Sequence, residues 1–113
     1  MLTKFFLYGG RRVTNVATLG AVATHAFVVP AGKRWVVLGG YAERDQNATL
    51  DIAAQDTGGN IIWFRDQVAA GVTNIGWLVQ GILVLDATDQ VVYEWGAAQV
   101  TPEVSLLVLE IDI

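Results

Sequence analysis

Apolar and polar residues alternate along most of this chain, in short runs separated by turn residues. Between Asn60 and Val68 one face carries Ile61, Trp63 and Arg65 and the other carries Ile62, Phe64 and Asp66. That is the period-2 pattern of a strand. Runs rich in Val, Ile, Leu, Thr and aromatics predict strands over approximately Leu2–Tyr8, Arg12–Leu19, Ala23–Val29, Arg34–Arg44, Ala48–Gln55, Asn60–Val68, Ile75–Leu85, Gln90–Ala97 and Val104–Asp112. Turn signals separate them at Gly9-Gly10, Gly20, Pro30-Ala31-Gly32, Asp45-Gln46-Asn47, Thr57-Gly58-Gly59-Asn60, Ala70-Gly71, Asp86-Ala87-Thr88-Asp89 and Thr101-Pro102. Strands at intervals of roughly 8–12 residues read as a sandwich or barrel, and no segment carries a helical apolar stripe. The Thr57-Gly58-Gly59-Asn60 connector predicts a hairpin, because Gly and Asn reach positive φ at little cost.

Two segments break the alternation. Leu106-Leu107-Val108-Leu109 and Phe5-Phe6-Leu7-Tyr8 are apolar on both faces. Such a strand is central in a layered stack or lies at a subunit contact. The tail Glu110-Ile111-Asp112-Ile113 resumes alternation and ends apolar. Phe5, Phe6, Leu7 and Tyr8, with Leu107, Leu109, Ile111 and Ile113, are therefore candidate partner contacts. Residues 1–10 are a candidate interaction arm, and removing residues 1–8 is expected to impair assembly while leaving the fold.

With 113 residues the chain reads as one domain, residues 1–113. Apolar residues make up 53% and charged residues 16%, against the usual quarter charged. That leaves apolar surface for other chains to cover, so a homo-oligomer, dimer or trimer, is expected. The lack of cysteine removes disulfides, zinc-thiolate sites and a thiol nucleophile. Residues 1–44 hold six of the seven basic residues and one acid, Glu43, a net of +5; residues 45–113 hold Arg65 and ten acids, a net of −9. The overall acidity argues against nucleic acid as a partner. The opening MLTKFFLYGG has too short an apolar run for a secretory leader, and no stretch reaches the ~20 apolar residues of a membrane helix.

The stretch VPAGKRWVV, Val29 to Val37, contains a Gly-Lys pair. A phosphate-binding loop needs a Gly five residues before that Gly-Lys and a Ser or Thr after it. Phe27 and Arg34 stand in those places. The stretch reads instead as a strand entrance, with Lys33 and Arg34 as a solvated lip that meets an acidic neighbour. His25 and Ser105 are the chain's lone His and Ser, and both fall inside predicted strands rather than on an exposed elbow. Asp45, Asn47 and Asp51 lack the order of a calcium loop, and Asp86 and Asp89 read as turn formers. Eleven acids supply material for a carboxylate dyad, but separation rather than number makes one. The expectation is no catalytic residue, no metal and no cofactor. Trp35, Trp63, Trp77 and Trp95 are the best binding candidates: a row of them on one sandwich face would stack on sugar rings, although Trp more often fills a core.

VPAGKRWVV resembles a Pro-Ala-Gly-Lys-x-Trp strand entrance that recurs in small jelly-roll-like proteins of tailed phages. LDIAAQDTGGNIIW is similar to their strand–Asp-x-Gly-Gly–strand hairpin, GILVLDATDQVVYEWGA to their Leu-x-x-Gly-Asp-x-Ile strand pair, and EVSLLVLEIDI to their closing strand. Ala87-Thr88-Asp89 stands where Gly-Asp is usual, so that turn is expected to differ. The resemblance runs from Val29 to Ile113, about three quarters of the chain. It implies a structural, oligomeric virion protein such as a capsid decoration (cement) protein, with no catalytic residues to carry over. The combined expectation is an all-β, jelly-roll-like or Greek-key β-sandwich of about eight strands. The function expected with it is a non-catalytic phage decoration protein, made in the host cytoplasm, that binds the major capsid protein on the capsid surface. A carbohydrate-binding jelly-roll module, with a glycan as partner, is the alternative.

Overall fold

The alternating runs become strands whose every second side chain meets a facing sheet. A computed structural model describes residues 10–113. The strands are β1 (Gly10–Thr18), β2 (Val22–Val28), β3 (Lys33–Ala42), β4 (Ala48–Gln55), β5 (Ile61–Gly71), β6 (Ile75–Leu78), β7 (Val84–Asp86), β8 (Gln90–Gln99) and β9 (Glu103–Asp112). One antiparallel sheet, sheet A, has the order β1-β9-β3-β6, with β7 also on β3; the other, sheet B, has the order β2-β8-β4-β5. The chain changes sheet at every connection except the β4–β5 hairpin and the β6–β7 break. With β6 and β7 counted as one interrupted strand, this is the eight-position arrangement of a jelly-roll sandwich.

The inner face of sheet A is built in cross-strand rows. Trp35 lies opposite Leu85 and Glu110, Val37 opposite Val108, Gly40 opposite Trp77 and Leu106, and Ala42 opposite Ile75 and Val104. Sheet B answers with Val91 beside Ala54, Tyr93 beside Ile52, and Trp95 beside Leu50. Apart from Gly40, Glu110 and the partly buried Ile75, these side chains form one buried cluster drawn from both sheets. Each large apolar side chain buried there contributes about 1.5–3 kcal/mol. Tyr93 ties the layers together. Its hydroxyl accepts from Trp77 Nε1 at 2.9 Å and donates to the Ser105 carbonyl at 2.7 Å. Burial pushes its phenol well above its ordinary pKa, so it stays a neutral donor.

Most predicted runs match. Residues 48–55 have the expected bounds, and the hairpin to β5 forms as expected. Its organiser is Asp56, whose carboxylate accepts from the amides of Gly58 and Asn60, both at 2.9 Å, and from the Asn60 side chain at 3.0 Å. Those bonds hold the carboxyl below its ordinary pKa, the Asn60 side chain contributing most. The Pro30-Ala31-Gly32 turn is also as read: Gly32 has φ +75°, and Lys33 N donates to Pro30 O. The predicted strand Leu2–Tyr8 lies outside the described residues.

The single predicted strand Ile75–Leu85 is corrected to two. β6 pairs with Gly39–Ala42 and β7 with Arg34–Val36, so residues 79–83 lie opposite only Val37 and Leu38. The ladder closes on both sides of the gap, Val79 N to Leu38 O and Val37 N to Leu83 O, each at 2.9 Å. The surplus loops out around Gly81, whose φ of +94° suits glycine. Three register slips between β4 and β5 bulge the free edge of sheet B, which blunts it against strand addition.

Candidate functional site: an aliphatic sheet face and an aromatic cleft

The outer face of sheet A follows from the same register. Val84, Val36, Leu109 and Arg12 form one row; Leu78, Gly39, Leu107 and Thr14 form the next; Gly76, Tyr41, Ser105 and Val16 form the third. Apart from Arg12, no member carries a charge. Leu78 is 78% exposed and Val16 59%. Leu107 and Leu109 therefore sit on this outer face, as the two-sided pattern of their strand required. Leu109 is buried outside the core cluster, Leu107 and Ile111 are half-buried, and Ile113 is exposed. Of the candidate contacts, Leu107, Leu109 and Ile111 are brought to one sheet, and Ile113 follows its strand. Phe5, Phe6, Leu7 and Tyr8 lie outside the described residues.

Lys33 and Arg34 are at the other end of the face and are satisfied within the chain. Arg34 Nε meets the Asp86 carboxylate at 2.6 Å, and Lys33 Nζ pairs with Asp112. The acidic neighbours of the lip are thus cross-strand partners on β7 and β9. The outer face of sheet B is different. Its central row, Ala26-Val92-Ala53-Phe64, is apolar, but the next places Asp51 opposite Glu94, a repulsive pair in a sheet. Gln67 Nε2 donates to Asp51 at 2.9 Å.

At one side of the sandwich β5 and β6 bring an open cleft of about 870 Å³ between the sheets. It is lined by Gly40, Trp63, Arg65, Asp66, Gly76, Trp77, Leu78 and Gln80. Trp63 stacks on Trp77 with ring centroids 5.5 Å apart and planes 25° from parallel. Trp77 is fixed in turn by Tyr93. The backbone of β3 crosses directly beneath. A Cβ on Gly40 would overlap the Tyr93 hydroxyl and the Ser105 carbonyl, so only glycine lets the aromatic group seat there. Arg65 points to the same inner face as Trp63 and donates to the Asp66 carbonyl at 3.0 Å. Among the described residues, the Asp66 carboxylate and the Gln80 amide have no hydrogen-bond partner.

The expected row of exposed tryptophans is therefore corrected. Trp35, Trp77 and Trp95 are buried, each with its indole N–H bonded: to Glu110 at 3.0 Å, Tyr93 at 2.9 Å and the Glu43 carbonyl at 3.1 Å. Trp63 alone is half-buried. Ser105 faces outward on sheet A, while His25 faces inward on sheet B in the row of Tyr93. His25 packs edge-on against Phe27, and burial lowers its pKa. The two therefore do not converge.

The candidate calcium loops are occupied by turn bonds. Asp45 accepts from the amides of Val100 and Thr101, at 2.9 and 2.7 Å, while Asp51 lies on the outer face of sheet B. Asp89 accepts from the Asp86 amide at 2.9 Å. The turn that departs from the phage-protein pattern contains Thr88 at φ 75°.

Sequence reading passed over Arg44. It is 4% exposed, and its guanidinium donates to the carbonyls of Thr73, Ala48 and Ala69 at 2.6–2.8 Å and to the Thr73 hydroxyl at 2.8 Å. No protein-family model matches this chain, and no curated protein matches it.

Proposed function

We propose that this chain is a non-catalytic structural protein of a virus particle, a tailed-phage capsid decoration protein that self-associates and binds the major capsid protein on the capsid surface. The observation that carries the reading is the outer face of sheet A. The rows through Val36, Gly39 and Tyr41 hold a single charge, Arg12, the ion pair Arg34–Asp86 lies only in the end row, and at the free edge Leu78 and Ile82 are 78% and 75% exposed. An apolar sheet face of this kind marks an interaction surface. The half-buried Leu107 at its centre supplies the shape for a partner, and exposed Leu78 and Val16 supply the margin. The phage assignment rests on the order of motifs from Val29 to Ile113.

Size-exclusion chromatography with light scattering tests self-association. The full chain is expected to run as a dimer or trimer at micromolar concentration, and Leu78→Glu, on an exposed position, is expected to shift it toward monomer without unfolding it. A wild-type monomer overturns self-association. Co-sedimentation with purified phage capsids tests the second half of the reading, and a chain that stays in the supernatant with every capsid overturns it.

A further inference from the structure

We propose that the cleft between β5 and β6 is a saccharide-binding site, in which Trp63 stacks on a pyranose ring and Arg65, Asp66 and Gln80 bond its hydroxyls. The inference rests on Trp63 and the polar rim rather than on the assembly reading, and only Leu78 and Gly76 belong to both surfaces. The cleft volume of about 870 Å³ is in the range that encloses a small ligand.

Its chemistry narrows the class. One wall is an aromatic plane held in place from behind: Trp63 is backed by Trp77, which is fixed by Tyr93 and by the bare backbone at Gly40. A rigid platform of that kind loses little entropy when a ring packs on it. The rim carries a donor-only guanidinium, an acceptor-only carboxylate and an amide that does both. An apolar ligand would leave all three unpaired, at a cost. An anion would meet the Asp66 carboxylate, and a cation would meet Arg65. A neutral pyranose fits both demands, since its ring presents C–H bonds to the aromatic plane while adjacent hydroxyls donate and accept around its edge.

Indole N–H signals in a nitrogen–proton correlation spectrum give the test. The four tryptophans give four signals, and the Trp63 signal is identified by its loss in Trp63→Phe. The full chain is titrated with neutral gluco-, galacto- and manno-configured oligosaccharides and with matched uronic acid oligomers. At least one neutral oligosaccharide is expected to shift the Trp63 signal saturably while those of Trp35 and Trp95 stay put.

Two variants then locate the site. Trp63→Ala removes the platform. Gln80→Ala removes a polar partner at an exposed position of the rim, so it keeps the fold even if Trp63→Ala weakens it. Each is expected to weaken binding about tenfold or more, a loss of about 1.4 kcal/mol. No shift with any sugar overturns the proposal, as does binding that Gln80→Ala leaves unchanged. Binding confined to the uronic acids overturns the assignment to neutral sugars.

Discussion

At the end of the sandwich formed by loops 43–47, 72–74 and 100–102, polar side chains turn inward onto backbone. Arg44 bonds three carbonyls and a hydroxyl. Gln99, 1% exposed, accepts from the amides of Asp45 and Gln46. At the opposite end, formed by loops 29–32, 56–60 and 87–89, charges meet one another in the open. Arg34 and Asp86 are 44% and 61% exposed at the side chain. Among the described residues the first end carries many side-chain bonds to backbone and no ion pair, while the second carries the ion pairs and fewer backbone bonds, at Asp56 and Asp89. Water decides what each is worth. A buried donor or acceptor left without a partner costs its full desolvation, whereas an exposed ion pair exchanges one solvated state for another.

The largest expected effect is therefore at Arg44. Replacing it with Met keeps the packing of the stem but leaves the carbonyls of Ala48, Ala69 and Thr73 facing an apolar end. At about 1–3 kcal/mol for each carbonyl that water does not reach, the expected loss is about 3–5 kcal/mol. Arg44→Lys retains the charge but not the planar fork and recovers only part of it. Denaturant unfolding measures both, as a lower midpoint at unchanged slope. A loss below about 1 kcal/mol for the Met variant would remove burial as the explanation of the contrast.

Glu110 sharpens the comparison, because it is a buried carboxylate at the exposed end. It is 7% exposed, and it accepts from Trp35 Nε1 at 3.0 Å and pairs with Arg11 at 2.8 Å. Its pKa is lowered from 4.5, first by the Arg11 hydrogen bond and then by that of Trp35. A folded-state pKa below the unfolded one means that the stabilisation is fully present above pH 4.5 and is lost as pH falls through the lowered value. Glu110→Gln keeps an acceptor for the buried indole and gives up the charge. It is expected to cost about 1 kcal/mol at neutral pH, since charge-assisted bonds exceed neutral ones by about that much. The gap to wild type should close on acidification below pH 4.5. Unfolding curves from pH 7 to pH 3 check this, and a pH-independent gap would assign the effect to shape.

The contrast between the ends also explains what the sequence discloses. Alternation and turn residues suffice for the strands, the hairpin and the two-faced β9, since each depends on neighbours a few positions away. The alternating set Ile61, Trp63, Arg65 already contains two residues of the cleft, but the register slip at Gln55 turns Ile61 to the outer face of sheet B. The break between β6 and β7 is hidden because Gly81 is flanked by Val79, Ile82 and Leu83, which continue an apolar run. Arg44 is hidden because its partners are backbone carbonyls, which every residue has, and because Glu43 and Asp45 beside it suggest a solvated turn. The four tryptophans are alike in composition, and only the sheet register separates three core residues from the one at the cleft. Lys33 and Arg34 stood out by residue type, yet their partners lie 79 and 52 positions away.

Those two cations should show the smallest effect of the series. Asp112 is 78% exposed and Lys33 is 30%, so salt and water screen the pair. Arg34 sits in the same solvent beside Asp86. Lys33→Ala and Arg34→Ala are each expected to cost less than about 1 kcal/mol, and less still at high ionic strength. The turn before them does not depend on either side chain, because Gly32 supplies its φ and the Lys33 amide its bond to Pro30. Strand β3 should therefore start where it does in both variants. If either substitution instead matched Arg44→Met, exposure would not be what separates the two ends, and the lip would be structural in its own right. If both are mild in solution while decoration of capsids falls, the lip's charges belong to the partner rather than to the fold.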